Sequence, residues 1–266
     1  MSTSLTAEGL GKVFETLRVL EREGINAEHL ARLRSDKDYA KRVAEFMLRG
    51  GIESSADLRI VRAIMGDRIF GPEEWSALYG ARLPKRIPAF PWSEDALKAP
   101  SPFHKGKTVA ETHFAFLGLA KLNGKPLTIN KWRELHPTTA QPRFYSDNPW
   151  YRNEQFATDA TCEFKWYLMP LEIVPNSERK TYREQLALLP EDYEVPTAIA
   201  EVTKDILAFR KTGTYVNPNR YGRVIDVSSL GVRVYVGGFG RVGLDVGGYG
   251  DGDRDGSVGL AAARKS

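Results

Sequence analysis

The chain has 266 residues, 42% hydrophobic and 27% charged, with one cysteine and a formal net charge of +4. That length suits one large domain or two modest ones, and a single thiol excludes a disulfide framework. No apolar run is long enough to cross a bilayer, and the N-terminus lacks a basic start followed by an apolar stretch, so a cytoplasmic protein without a membrane partner is expected.

Residues 6–23 fit an amphipathic helix, with Thr6 as cap, Leu10, Val13, Phe14, Leu17 and Leu20 at three- to four-residue spacing, and Gly24 as stop. Asn26 can cap a second helix holding Leu30 and Leu33. Ser35 or Asp36 opens a third, with Tyr39, Val43, Phe46 and Met47, closed by Gly50-Gly51. Ser54 or Ser55 caps a fourth, with Leu58, Val61, Ile64 and Met65. Gly71-Pro72-Glu73-Glu74-Trp75 starts a fifth, because proline and acids favour a first helical turn. Residues 1–80 therefore read as a helical module. Short helices on short turns also describe DNA readers, which leaves a DNA-associated regulatory role as one alternative. The charge argues against it. Residues 1–80 are slightly acidic, and the cations elsewhere are dispersed, whereas phosphate binding concentrates them. Nucleic acid is not the expected partner.

Pro84, Pro88, Pro91, Pro100 and Pro102 make residues 81–110 a connecting strap, with Phe90, Trp92 and Phe103 resting on a neighbouring domain. Thr112 to Leu122 reads as a strand ending in an Asn123-Gly124 turn. A short helix with Trp132 and Leu135 follows, and residues 138–160 are polar and irregular. Cys162 to Val174 is strand-like, Ser177 caps a helix through Leu189, and Pro196 starts another that Gly213 stops. Tyr221 to Ser228 is a further strand. The absence of βαβ alternation makes an α+β fold the expectation, with a mixed binding domain over 111–266.

The tail carries three alternating runs: Val232-Val234-Val236, Val242-Leu244-Val246 and Val258-Leu260-Ala262. Between them stand Gly237-Gly238 and Gly247-Gly248, which predicts a three-stranded antiparallel meander turning at the glycines. Its wet face and loops carry Tyr235, Phe239, Arg241, Asp245, Tyr249, Asp253 and Arg254, the candidate ligand-binding residues. Aromatic and charged groups interleaved in this way suit a protein or carbohydrate ligand. Asp251, Asp253 and Asp255 followed by Gly256 spell the opening of a calcium loop, which makes Ca2+ the one candidate cofactor. Ala262 stands where such a loop needs its bidentate glutamate, and no helices flank it.

Other chemistry is thinner. Gly238-Phe239-Gly240-Arg241-Val242-Gly243 matches a dinucleotide motif but leads into a strand rather than a helix. His29, His104, His113 and His136 show no metal-ligand spacing, and Cys162 on an apolar strand reads as a buried thiol. A hydrolase or transferase built from His104, His113, Asp226 and the loop 138–160 remains the enzymatic alternative. No catalytic set is assigned.

Leu127-Thr128 followed by Trp132, Val195-Pro196-Thr197 opening a helix, and a glycine-rich end closing on Val258-Gly259-Leu260 before Arg264 give residues 110–266 a resemblance. The segment resembles the C-type lectin fold in its disulfide-free branch, which includes formylglycine-generating-enzyme-like domains and the variable proteins of diversity-generating retroelements. The resemblance implies non-enzymatic ligand binding through a displayed terminal face. The chain departs from the pattern in lacking a Gly-Gly-Ser-Trp segment, the usual Gly-Phe-Arg ending and any catalytic cysteine pair, so the oxidising activity is not carried over.

Overall fold

The structure, a computed structural model, describes residues 10–48, 58–137, 139–146 and 149–266. It divides into two compact units, Met1–Ser54 and Ser55–Ser266.

The first unit holds α1 (Leu10–Arg22), α2 (Ala27–Ser35) and α3 (Lys37–Leu48). The Asn26 side chain accepts from the backbone N–H groups of Glu28 and His29, at 3.0 and 3.2 Å, and so starts α2 as its sequence position predicts. Asp36 does the same for α3 through the Tyr39 N–H at 2.8 Å. The Arg32 guanidinium lies 4.5 Å from the centre of the Tyr39 ring and links α2 to α3. Thr6, Gly50-Gly51 and the Ser54 or Ser55 cap fall outside the described residues.

The second unit is α+β. In chain order it runs α4 (Leu58–Met65), β1 (Ile69–Phe70), α5 (Pro72–Tyr79), α6 (Glu94–Lys98), α7 (Val109–Thr112), β2 (His113–Leu117), β3 (Lys121–Leu122), β4 (Lys125–Pro126), α8 (Ile129–Leu135) and α9 (Gln155–Thr158). It continues with β5 (Trp166–Pro170), α10 (Tyr182–Leu186), β6 (Tyr193–Glu194), α11 (Ala198–Thr212), β7 (Tyr221–Val227), β8 (Arg233–Gly240), β9 (Gly243–Tyr249), β10 (Val258–Leu260) and β11 (Ala263–Arg264). No helix among the described residues is long and apolar enough to cross a membrane.

The boundary expected near residue 80 lies instead at Ser54/Ser55. The cause is burial. Val61, Met65, Ile69, Phe70 and Trp75 all sit in the core of the second unit. There β1 pairs parallel with β2, and the Trp75 indole donates to the Leu117 carbonyl at 2.8 Å. The proline-rich strap belongs to the same core: Phe90 and Trp92 are buried, and the Trp166 indole donates to the Pro88 carbonyl at 2.9 Å. The Asn123-Gly124 reversal forms as read, joining β3 to β4 with both residues at positive φ. Ser177 caps no helix. It is buried, donates to the Val174 carbonyl and accepts from the Leu260 N–H, while Thr181 caps the shorter α10.

Helix α11 is the centre of the unit. Thr197 caps it, Gly213 ends it at φ +72°, and every residue from Ala198 to Ala208 is buried. It packs against β7 and β8 of the sheet ordered β10-β7-β8-β9 and against β1 and β2 of the sheet ordered β1-β2-β5. A helix buried all round must pair its charges internally. Lys204 does so, meeting Glu201 at 2.5 Å and Asp205 at 3.3 Å and donating to the Pro170 carbonyl at 3.2 Å. Burial raises both carboxyls against the pull of Lys204, Asp205 to about 8. One ammonium balances one carboxylate, so the pair retains a proton near neutral pH.

This sets a pH dependence. The folded chain keeps the Asp205 proton up to about 8, whereas the unfolded chain releases it in the usual carboxylate range. Stability therefore falls as pH rises through that window, by at most about 1.4 kcal/mol per pH unit. His113 and His136, which burial lowers to about 3 and about 4, are neutral in the folded chain there, and their remaining protonation in the unfolded chain acts equally on wild type and on an Asp205 variant. Asp205→Asn is expected to flatten the decline of urea midpoints between pH ~7 and ~8, and equal slopes in variant and wild type contradict it.

Candidate functional site

Strands β7, β8 and β9 form an antiparallel meander, of which the alternation predicts the β8–β9 pair. Val224, Val234, Val236, Leu244 and Val246 are buried on the inner face. The final run does not extend the meander: β10 pairs parallel with β7 at the opposite edge, carried there by residues 250–257. The reversals differ too. The β8–β9 turn falls at Arg241–Val242, and Gly247-Gly248 lie within β9. Gly247 is there for space, because a Cβ would collide with the Tyr235 ring folded across from β8. Gly238 takes the Tyr221 ring in the same way, at φ +55°.

The outer face divides into a sealed half and an open half. In the sealed half Arg223 is fully buried, and its guanidinium donates to the carbonyls of Lys180, Gly250 and Asp253 and to the Gln185 side chain, at 2.9–3.1 Å. Arg233 chelates Asp251 at 3.0 and 2.9 Å and lies 3.9 Å from the centre of the Tyr182 ring. Arg254 pairs with Glu184 at 2.8 Å. Tyr249 packs beneath the Arg223 guanidinium, 5.4 Å from ring centre to Cζ.

Several expected ligand-binding residues are therefore occupied with holding segments 179–185 and 250–254 to the sheet. Tyr249 is packed on Arg223, and Arg254 is exposed with Glu184 beside it. Asp253 contributes its carbonyl to Arg223, with its side chain exposed. Phe239 is a correction: it is buried and packs on Phe209 and Tyr215, with ring centres 5.6 and 5.1 Å away. A register shift between Gly237 and Gly240 turns its side chain to the inner face. Arg241 is exposed at the hairpin tip, where its carbonyl accepts from Gln141 and Arg143.

The calcium reading is also corrected. Asp251 is committed to Arg233, which lowers its pKa, and Asp255 accepts from the Ser257 N–H and hydroxyl at 2.7 and 2.6 Å. Asp251, Asp253 and Asp255 do not converge, and no group of three or more metal-binding side chains exists among the described residues.

Tyr235 and Asp245 remain in the open half, and the fold brings them together. They line a groove of about 460 Å³ with Trp150, Leu230, Val232 and the backbone of Gly247-Gly248. Trp150 is 49% exposed, lies beside Gly248 and donates its indole N–H to the Val246 carbonyl at 3.0 Å. Asp245 is half-buried, and burial raises its pKa against the Val246 N–H that it accepts. Leu230 is 87% exposed, and Ile225 and Val227 are exposed on the outer face of β7. Sequence reading passed over Trp150 and Leu230. Their only signal is a tryptophan in a polar loop and a leucine in a Ser-Ser-Leu-Gly turn.

The groups of the enzymatic alternative are each engaged in other contacts. His113 is buried, with Nε2 2.9 Å from the Tyr193 hydroxyl and Nδ1 2.9 Å from the Thr112 hydroxyl. His104 faces Glu172 at 3.6 Å. Asp226 accepts the Ala198 N–H at 2.6 Å and so serves the start of α11. Cys162 is buried, and burial pushes its thiol up to about 12.

If Gly247 is present to receive Tyr235, Gly247→Ala is expected to lose about 1–3 kcal/mol in chemical denaturation through overpacking. Gly252→Ala, at a position open to solvent, is the control and should be near neutral. Equal effects at the two positions contradict this role. No protein-family model matches the chain, and neither a curated protein nor a solved structure matches it.

Proposed function

We propose that the chain is a non-enzymatic binding protein that engages a protein or glycan partner through the open half of its C-terminal sheet. One observation carries this reading: Trp150, Tyr235 and Asp245 line one groove, the Tyr235 ring lying over Gly247, with exposed Leu230 at the rim. Aromatic rings offer large, stiff contact area at small entropic loss, and a partly desolvated carboxylate beside them supplies a directional acceptor. The glycine backbone lets the Tyr235 ring lie close against the sheet, with Trp150 beside it, which fixes the two rings as contact surface. Exposed Ile225 and Val227 extend the apolar area, as at the centre of a protein interface. The sheet's own arginines Arg223 and Arg233 are engaged internally, so the open half offers no cationic stripe to a polyanion. A displayed sheet face is also what the lectin-like resemblance implies.

Glycan arrays and affinity capture on the intact chain supply the binder. Trp150→Ala combined with Tyr235→Ala is expected to weaken that binder by about 2 kcal/mol or more, the scale of an interface hot spot. Arg241→Ala, at the hairpin tip, should leave it unchanged. A binder that tolerates the double variant and is lost with Arg241→Ala overturns the reading.

A further inference from the structure

A second cavity lies away from that groove, at the C-terminal end of α11. It holds about 710 Å³, within the usual range for a small-molecule pocket. Phe114, Ala208 and Val216 are its buried floor, and Tyr215 forms a wall. Its polar groups come from separate segments: Asp67 and Arg68 from the turn after α4, Glu172 from the end of β5, and Thr214 and Asn219 from the loop after α11.

Arg68 decides the chemistry. It is half-buried on the cavity wall, and no described residue hydrogen-bonds or ion-pairs with it. It feels the charge of Glu111, but that carboxylate is already taken by the N–H and hydroxyl of Thr108, at 2.7 and 2.9 Å. A partly desolvated guanidinium with open donors matches a carboxylate, phosphate or sulfonate in bidentate geometry. The second cation at the cavity, Arg220, is exposed and pairs with Glu178 at 3.0 Å. Asp67 and Glu172 are exposed acids among the lining residues, and they repel an extended polyanion while admitting a compact one.

The geometry points to a second ligand site, for a small organic anion whose acid group meets Arg68 and whose apolar body rests on Phe114, Val216 and Tyr215. The site is independent of the sheet groove, and the two succeed or fail separately.

Fluorescence titration of the intact chain with anilinonaphthalene sulfonate tests the site. Inorganic phosphate serves as the probe with charge alone, and phenylnaphthylamine as the uncharged body. The sulfonate is expected to bind saturably, one per chain, with near-UV circular dichroism unchanged. Arg68→Gln should weaken it about tenfold or more, Arg68→Lys should restore part of that, and Asp67→Asn should tighten it. Phenylnaphthylamine should bind more weakly and ignore the charge at position 68. Phosphate alone should compete only at high concentration. Absence of saturable binding, an affinity indifferent to both Arg68→Gln and Asp67→Asn, or loss of the site in Trp150→Ala overturns the proposal.

Discussion

The Arg223 guanidinium organises the C-terminal half of the molecule. A charge taken fully out of water is tolerated only when acceptors replace its hydration. Here the acceptors come from the 180–185 segment and from the 250–253 loop, and they meet at a strand in the middle of the sheet. Tyr182 packs on a small apolar cluster and its N–H donates to the Asp251 carbonyl at 2.9 Å. The carbonyls of both loops also converge on one cation, and Arg233 with Asp251 and Tyr182 repeats the device one strand away.

That constraint shapes function by subtraction. The clamped segments cover one half of the outer face and leave Tyr235, Asp245 and Trp150 on the other. The inner face is covered by α11, whose buried carboxylates Glu201 and Asp205 flank Lys204. A rigid sheet held on both sides is a suitable platform for recognition, because little order remains to be imposed when a ligand arrives. The cavity beneath Arg68 lies at the far end of the same helix, so α11 supports both candidate sites.

Local chemistry was legible in the sequence, and long-range pairing was not. Asn26, Gly213 and Asn123-Gly124 act where they stand because a cap or turn depends only on its neighbours, whereas α11 starts after the Thr197 cap and not at Pro196. The alternation of β8 and β9 was equally visible. Phe239 was misplaced because a register shift reverses a face without changing any residue. The Gly247-Gly248 pair looked like a turn because a glycine that admits an aromatic ring is indistinguishable, in one dimension, from one that admits positive φ. The domain boundary was misread because the helices of residues 58–79 carry the same apolar periodicity whichever surface they cover. Of the candidate site, Tyr235 and Asp245 were found from period two, whereas Trp150, Leu230 and the Arg68 cavity depend on segments distant in the chain. The candidate calcium loop has its carboxylates engaged elsewhere for a related reason: Arg233, eighteen positions before Asp251, takes that carboxylate.

The division of the sheet face into a clamped half and an open half is tested most directly by hydrogen exchange on Arg223→Lys beside wild type. A lysine keeps the charge but cannot reach four diverging acceptors. Exchange should accelerate in segments 179–185 and 250–254, while α11 and β2 keep their protection. Unchanged protection in those two segments, or a uniform loss across the whole second unit, would contradict the view that this one guanidinium holds the covering loops in place.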